Sequence, residues 1–194
     1  HIYKYPKARN VARAKNKVLE NIIKYKKEYP AILFMDADDE MCLERPKMLD
    51  TAIKHNSPYV LGGWERKPKG FEYPPDMKHL KDKKKRFVHS AILTHKRMNY
   101  GPWATLFHHS LITSQIEKNG CFFFEGFPIY EDLLTFHHLK HIEKIKPSFH
   151  ESEHPVHFYH ENHGSCSLRY TKPQKVALHK HYLKIVDKIK EGVN

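Results

Sequence analysis

Apolar positions set out a series of elements along the chain. Over residues 8–27, Val11, Ala14, Val18 and Ile22 recur at three- and four-residue spacing, with Leu19 and Ile23 beside them. That is the period of a helix with one face turned to a core, and Pro30 closes it. Ala31-Ile32-Leu33-Phe34-Met35 is then apolar at every position. Such a run fits a strand buried on both faces in the middle of a parallel sheet. Pro46 suits the first turn of a helix carrying Met48, Leu49, Ala52 and Ile53. Ser57-Pro58 breaks that helix, and Tyr59-Val60-Leu61 reads as a strand ending at Gly62-Gly63. Residues 65–86 are rich in Lys, Pro and charge and read as a long excursion. Strands are expected at 2–5, 87–94, 121–124 and 156–159, with a loop and helix start at 101–112. Helices are expected at 131–141 and 173–189. The alternation of strands and helices predicts an α/β fold.

Composition narrows the function classes. No apolar run approaches the ~20 residues of a membrane-spanning helix. Cys42, Cys121 and Cys166 are few, scattered and odd in number, which argues against a disulfide framework or a Cys-rich zinc site. A reducing, cytoplasmic setting is the default, with peripheral contact at a membrane compatible. Lys and Arg total 34 against 22 Asp and Glu, a formal charge of +12. That excess favours anionic partners such as phosphorylated small molecules, lipid headgroups or nucleic acid. The densest basic run, Lys81 to Arg86, has no interleaved aromatics, so a solvated loop is preferred to a nucleic-acid groove.

The acidic cluster carries the chemistry. Asp36, Asp38 and Asp39 directly follow the buried run, at the end of a strand where open α/β sheets bind ligands. Grouped carboxylates repel one another unless a cation compensates. Mg²⁺ or Mn²⁺, held by one or two carboxylates plus substrate phosphates, is the expected cofactor. The competing reading is a loop whose acidic residues cap the next helix, a role suited to Asp39.

Ala8-Arg9-Asn10, a helix, and then Ile32-Leu33-Phe34-Met35-Asp36-Ala37-Asp38-Asp39 together resemble the central signature of the family 2 glycosyltransferases. Further segments resemble that family in order. They are Arg45-Pro46 with Leu49, Val60-Leu61-Gly62-Gly63, Gly101-Pro102-Trp103-Ala104-Thr105-Leu106-Phe107, Glu125 to Asp132, and Tyr159 to Arg169. Thr105 stands where the family often has lysine. The resemblance runs from about residue 8 to 170 and implies the GT-A fold, a Rossmann-like, mostly parallel sheet flanked by helices. On that basis the chain is expected to be one domain, 1–194. Residues 1–64 would form a nucleotide- and metal-binding half, 87–170 an acceptor-binding half, and 171–194 a basic carboxyl-terminal helix. The family's opening strands are expected to be missing before Ile2.

The resemblance implies an inverting, hexosyltransferase-type reaction between a nucleotide-sugar donor, with a UDP-sugar as first choice, and a glycan or other hydroxyl acceptor. Asp132 is the candidate general base, with Glu131 helping to bind the acceptor. Acidic residues also favour a helix start on purely structural grounds. Asp38 is assigned to the metal, and Asp36 to the ribose or a share of the metal. Arg9 is placed near the nucleotide and Arg169 near the diphosphate, the alternative for each being a surface arginine. Trp103 is assigned to a wall of the sugar pocket or to the core. Among the many histidines of the second half, His160 is the candidate metal ligand. His137 and His141, four apart on a helix, permit a shared metal without requiring one. Two other readings compete: a metal-dependent phosphohydrolase or nucleotidyltransferase, and a basic module binding nucleic acid or membrane. Nucleic acid is the least favoured partner.

Overall fold

The computed structural model describes residues 11–23, 29–36, 39–68, 101–127, 130–150, 152, 154–161 and 171–192. The described residues fall into two compact units. One draws on His1–Ile32, Phe107–Lys146 and Cys166–Asn194, the other on Leu33–Leu106 and Pro147–Ser165. Among the described residues no helix is long and apolar enough to cross a membrane.

The first unit is mainly helical. Helix α1, Val11–Ile22, buries Ala12, Asn16 and Leu19, the i, i+4, i+7 positions of one face. Helix α3, His109–Asn119, ends at Gly120, whose φ of 75° is the left-handed conformation that closes a helix without a Cβ clash. Helix α4 spans Glu131–His141 and α5 spans Lys172–Lys190. Thr171 and Gln174 form a capping box at the start of α5, satisfying amide groups that the first helical turn cannot. Tyr182, Val186 and Ile189 on α5 pack with Phe127 and Leu134. Phe107 meets Phe122 edge-on and Phe136 in a stack. The expected strand at 121–124 does not form. The amides of Phe122 and Phe123 instead donate to the side-chain oxygen of Asn16, at 3.2 and 2.8 Å, and its amide group donates back to the Phe123 carbonyl at 2.8 Å. A buried asparagine from α1 thus does the pairing that a neighbouring strand would have done.

The second unit carries short strands. Strand β1 is Ala31–Leu33, at the boundary with the first unit, and β2 is Glu40–Met41. A 3-10 turn at Arg45–Lys47 leads into α2, Met48–His55. Then come β3 at Tyr59–Leu61 and β4 at Trp64–Pro68. Strand β5 is Thr105–His108, β6 is Ser148–Phe149 and β7 is His157–Glu161. One sheet has the order β1-β5-β3-β6 and the other β2-β7-β4. The β3–β6 and β4–β7 pairs are parallel, while β2 runs antiparallel to β7. These pairings are mixed, so the mostly parallel sheet expected from the sequence is not clearly seen.

Residues 65–68, the start of the expected excursion, instead belong to β4, which pairs along its whole length with β7. Among the described residues β4 lies at the end of its sheet's order. The expected strands at 2–5 and 87–94 lie outside the described residues. Gly62 follows β3 where a Cβ would stand 2.5 and 2.8 Å from the two methyl carbons of Val156. Only glycine allows that approach, which the Val156 amide completes by donating to the Gly63 carbonyl at 2.8 Å.

Candidate active site

In the second unit, Phe34, Met35 and Asp36 leave the end of β1, and Asp36 is exposed. The amide of Asp39 donates to the Asp36 carbonyl at 3.2 Å, which turns the chain back toward β2. Asp39 does not cap a helix. The 3-10 turn that follows, Arg45–Lys47, has Glu44 as its N-cap residue and receives no side-chain cap. The Asp39 carboxylate is instead 1% exposed and points at β7. One oxygen accepts from His157 Nε2 at 2.9 Å and the other from the His160 amide at 2.9 Å.

Behind His157 lies Arg45, also fully buried. Its guanidinium donates to the Phe34 carbonyl and lies 3.4 Å from His157 Nδ1. An arginine can only donate, so His157 accepts at Nδ1 and carries its proton on Nε2, toward Asp39. Burial lowers the His157 pKa, with Asp39 pulling the other way, and favours the neutral ring. Burial also brings Arg45 down to about 10, against the opposing pull of Cys42 and Asp39, so the guanidinium stays charged at neutral pH. Phe34, Asp39, Arg45 and His157 form one brace holding the carboxylate-bearing stretch to β7.

Trp103 stacks on the His157 ring at 5.4 Å between centroids. Trp64 meets Trp103 edge-on at 4.9 Å, and Tyr159 leans on it at 5.5 Å. The half-buried Trp103 is therefore part of an aromatic group over the brace. Gly101 gives it room, since a Cβ there would lie 2.3 Å from the indole. His160 Nε2 stands 3.1 Å from Glu40 Oε1, so this imidazole faces a carboxylate beside the acidic stretch.

The first unit holds the second acidic pair. Glu131 and Asp132 occupy the first turn of α4, entered through Tyr130 at φ 71°, an uncommon left-handed conformation for a bulky residue. Glu131 is buried and faces Lys15 Nζ at 3.3 Å, and that amine also lies 5.1 Å from the Phe123 ring centre. Asp132 accepts from the Leu133 amide at 2.8 Å. Burial and the neighbouring Glu131 charge raise its pKa to about 6, against the opposing pull of Lys15 and the backbone amides. Asp132 thus stands in the first turn of α4 with a carboxyl that holds its proton to higher pH than an ordinary aspartate.

Of the sequence-derived candidates, Asp36, Trp103 and His160 fall in the second unit and Glu131 and Asp132 in the first. Arg9, Asp38 and Arg169 lie outside the described residues. His137 and His141 stack at 5.6 Å, with His137 Nε2 turned to the Tyr182 hydroxyl at 3.0 Å. Among the described residues no three His, Cys, Asp or Glu side chains converge on a metal position. The Asp36 carboxylate is a hard oxygen donor of the kind Mn²⁺ or Mg²⁺ takes, whereas the His160 imidazole is a softer donor and faces Glu40. Sequence reasoning missed the brace. Arg45 drew notice only through its resemblance to a family segment, and His157 was one histidine in a crowd.

No family model and no curated protein matches the chain. Solved structures do. The crystal structure of S. aureus TarS 1–349 in complex with UDP is 15% identical, with a TM-score of 0.53, over 93% of this chain and 45% of that one. The same protein in complex with UDP-GlcNAc is 17% identical, with a TM-score of 0.54, over 93% of this chain and 51% of that one. The chain thus spans about half the length of these structures and shares their fold.

Proposed function

We propose that this chain takes part in transferring a sugar from a nucleoside-diphosphate sugar, a UDP-sugar in the first instance, to an acceptor hydroxyl with inversion. One observation carries the reading: an acidic stretch at the end of β1 is clamped to β7 by Asp39, in a fold shared with a protein solved bound to UDP and to UDP-GlcNAc. The clamp turns one aspartate inward and leaves Asp36 exposed at the same stretch.

In this mechanism Asp36, Asp38 and His160 hold Mg²⁺ or Mn²⁺, which when bound supplies Lewis-acid neutralisation of the diphosphate. Arg9 and Arg169 add positive charge near the nucleotide and diphosphate. Trp103 offers an aromatic face to the sugar ring. Glu131 helps to bind the acceptor. Asp132 removes the acceptor hydroxyl proton as that oxygen bonds to the anomeric carbon. The bond from that carbon to the diphosphate oxygen breaks, and the nucleoside diphosphate leaves with the electron pair. A carboxylate with pKa about 6 is ionised at neutral pH and more basic than an ordinary aspartate.

Two variants test the reading with UDP-GlcNAc and other UDP-sugars as donors. Asp132→Asn keeps donor and Mn²⁺ binding while transfer falls by about 10²–10⁴, the usual worth of a positioned general base. Asp38→Asn loses Mn²⁺-dependent donor binding without unfolding. Transfer near the original rate in Asp132→Asn removes the base assignment. Unchanged donor and Mn²⁺ titrations in Asp38→Asn remove the metal assignment.

A further inference from the structure

Away from the acidic stretches, the first unit holds a half-open pocket of about 380 Å³. That lies within the range of small-molecule sites, toward the lower end. Helices α3, α4 and α5 and the loop after Gly120 form its walls. Phe122, Phe124, Leu139, Ile185 and Ile189 supply carbon surface, and Cys121 lines the same space. Water gains little in a space lined this way, because it needs two to four polar partners. An apolar ligand gains free energy in proportion to the carbon surface it removes from water.

The polar groups of the lining gather on particular residues. Gln115 and Asn119 are joined by an amide–amide hydrogen bond of 3.0 Å along α3. His138 reaches Glu143 at 3.2 Å, and Glu143 is also held by Lys118 at 2.7 Å. Burial lowers the His138 pKa and favours a neutral ring. Lys188 is the one lining side chain of fixed charge, and it is exposed at the rim on α5. A carbon-lined space with one cation at its edge is complementary to an apolar chain with a single negative end.

We propose that this cavity binds the alkyl chain of a monoanionic amphiphile, a medium-chain carboxylate, with its head beside Lys188. The thiol of Cys121 gives the cavity a built-in reporter. It is half-buried, and its pKa is pushed up by burial and by Glu125, so slow maleimide labelling is expected, slowed further by a bound chain that covers it.

The test uses the whole chain, with octanoate, decanoate, decanol and decylammonium as probes. Calorimetric titration reads affinity, and peptide mapping reads maleimide labelling of Cys121 apart from Cys42 and Cys166. Decanoate is expected to bind saturably and to protect Cys121. Each added methylene should tighten binding by about fourfold until the cavity is full. Decanoate should bind tighter than decanol, and decylammonium should be weakest. Lys188→Gln should weaken decanoate about two- to fivefold, as for an exposed ion pair, and leave decanol unchanged. Cys121→Trp, which places an indole in the cavity, should abolish binding. Should that variant fail to fold, protection of Cys121 in the unsubstituted chain decides. Absence of saturable binding, unprotected Cys121 in saturating decanoate, or decylammonium binding as tightly as decanoate would overturn the proposal.

Discussion

Replacing Asp39 with alanine removes the central acceptor of the β7 brace. Two donors lose their partner at once, His157 Nε2–H and the His160 amide, both held at 2.9 Å in the intact protein. Each buried donor left unsatisfied costs about 1–3 kcal/mol. The buried Arg45 also loses its nearby carboxylate, and breaking a buried charge arrangement from one side costs about 3–5 kcal/mol. These penalties overlap because they concern one network, so the expected loss is about 3–5 kcal/mol rather than their sum. Asp39→Asn is milder and diagnostic. Its carbonyl can satisfy one donor, but its amide then opposes the other, and Arg45 prevents His157 from moving its proton to Nδ1. That variant should lose about 1–3 kcal/mol, the cost of a single unsatisfied donor. Urea denaturation with an unchanged m-value gives both numbers. In the double variant Asp39→Asn with Arg45→Met the penalties should fall short of additivity by about 1–3 kcal/mol. A loss below about 1 kcal/mol for Asp39→Ala, the level of an ordinary surface change, would refute the brace.

Other perturbations follow from the same geometry. Asn16→Leu abolishes four hydrogen bonds to residues 122–125 and should cost about 3–5 kcal/mol, read from the urea midpoint. Gly62→Ala drives a Cβ into Val156 and should cost about 1–3 kcal/mol, a loss that Val156→Ala partly reverses in the double variant. Asp132 and His137 should give stability slopes of opposite sign in acid. With its folded pKa raised to about 6, Asp132 lets the native state hold the extra proton, so its contribution falls as pH rises from about 4 to 6. Burial first, then His141 and nearby lysines, bring His137 down to about 4, so the unfolded state holds the extra proton and stability rises from about pH 4 to 6.5. Asp132→Asn should expose the rising slope and His137→Gln the falling one in denaturation across that range. The transfer rate should likewise rise with pH through about 6 when Asp132 is the base.

What could be read from the sequence was local. The helices α1 and α5 were legible from the period of their apolar positions, although α1 buries Ala12, Asn16 and Leu19 rather than the expected Val11, Ala14, Val18 and Ile22, and α5 leaves Val176 and Leu183 exposed. The fully buried Tyr59–Leu61 was legible as an apolar run of strand length, whereas the run 31–35 departs from the two-sided burial expected of it: β1 stands at the end of its sheet's order, Ile32 is the one buried residue of the run, and Leu33 and Met35 are exposed. Pairing that depends on a distant partner was not legible. Trp64–Pro68 looks too charged for a strand until β7 is seen beside it, and Glu40–Met41 and Ser148–Phe149 are too short to carry a period. Cys121 to Phe124 failed in the opposite sense. Its apolar run is real and buries Phe122 and Phe123, but its backbone is satisfied by Asn16, more than a hundred positions away in sequence.

The acidic stretch shows how a motif hides a division of labour. Three aspartates within four positions look equivalent in sequence, and cation chemistry accounts for all of them alike. The fold separates at least two. Asp39 spends both oxygens on β7 and has a 1% exposed side chain, which suits a brace and leaves it poorly placed to meet a substrate. Asp36, one turn of backbone away, is exposed, and the proposed contact with a cation or ribose is assigned to it. The signal that could have told them apart lay outside the motif, in a buried arginine at Arg45 and a histidine at His157 that only the folded chain brings together. Charged side chains survive deep burial when they are paired and hydrogen-bonded. The inward aspartate and the buried arginine are therefore two ends of one requirement, and losing the first should be felt at the second before it is felt in any bound nucleotide.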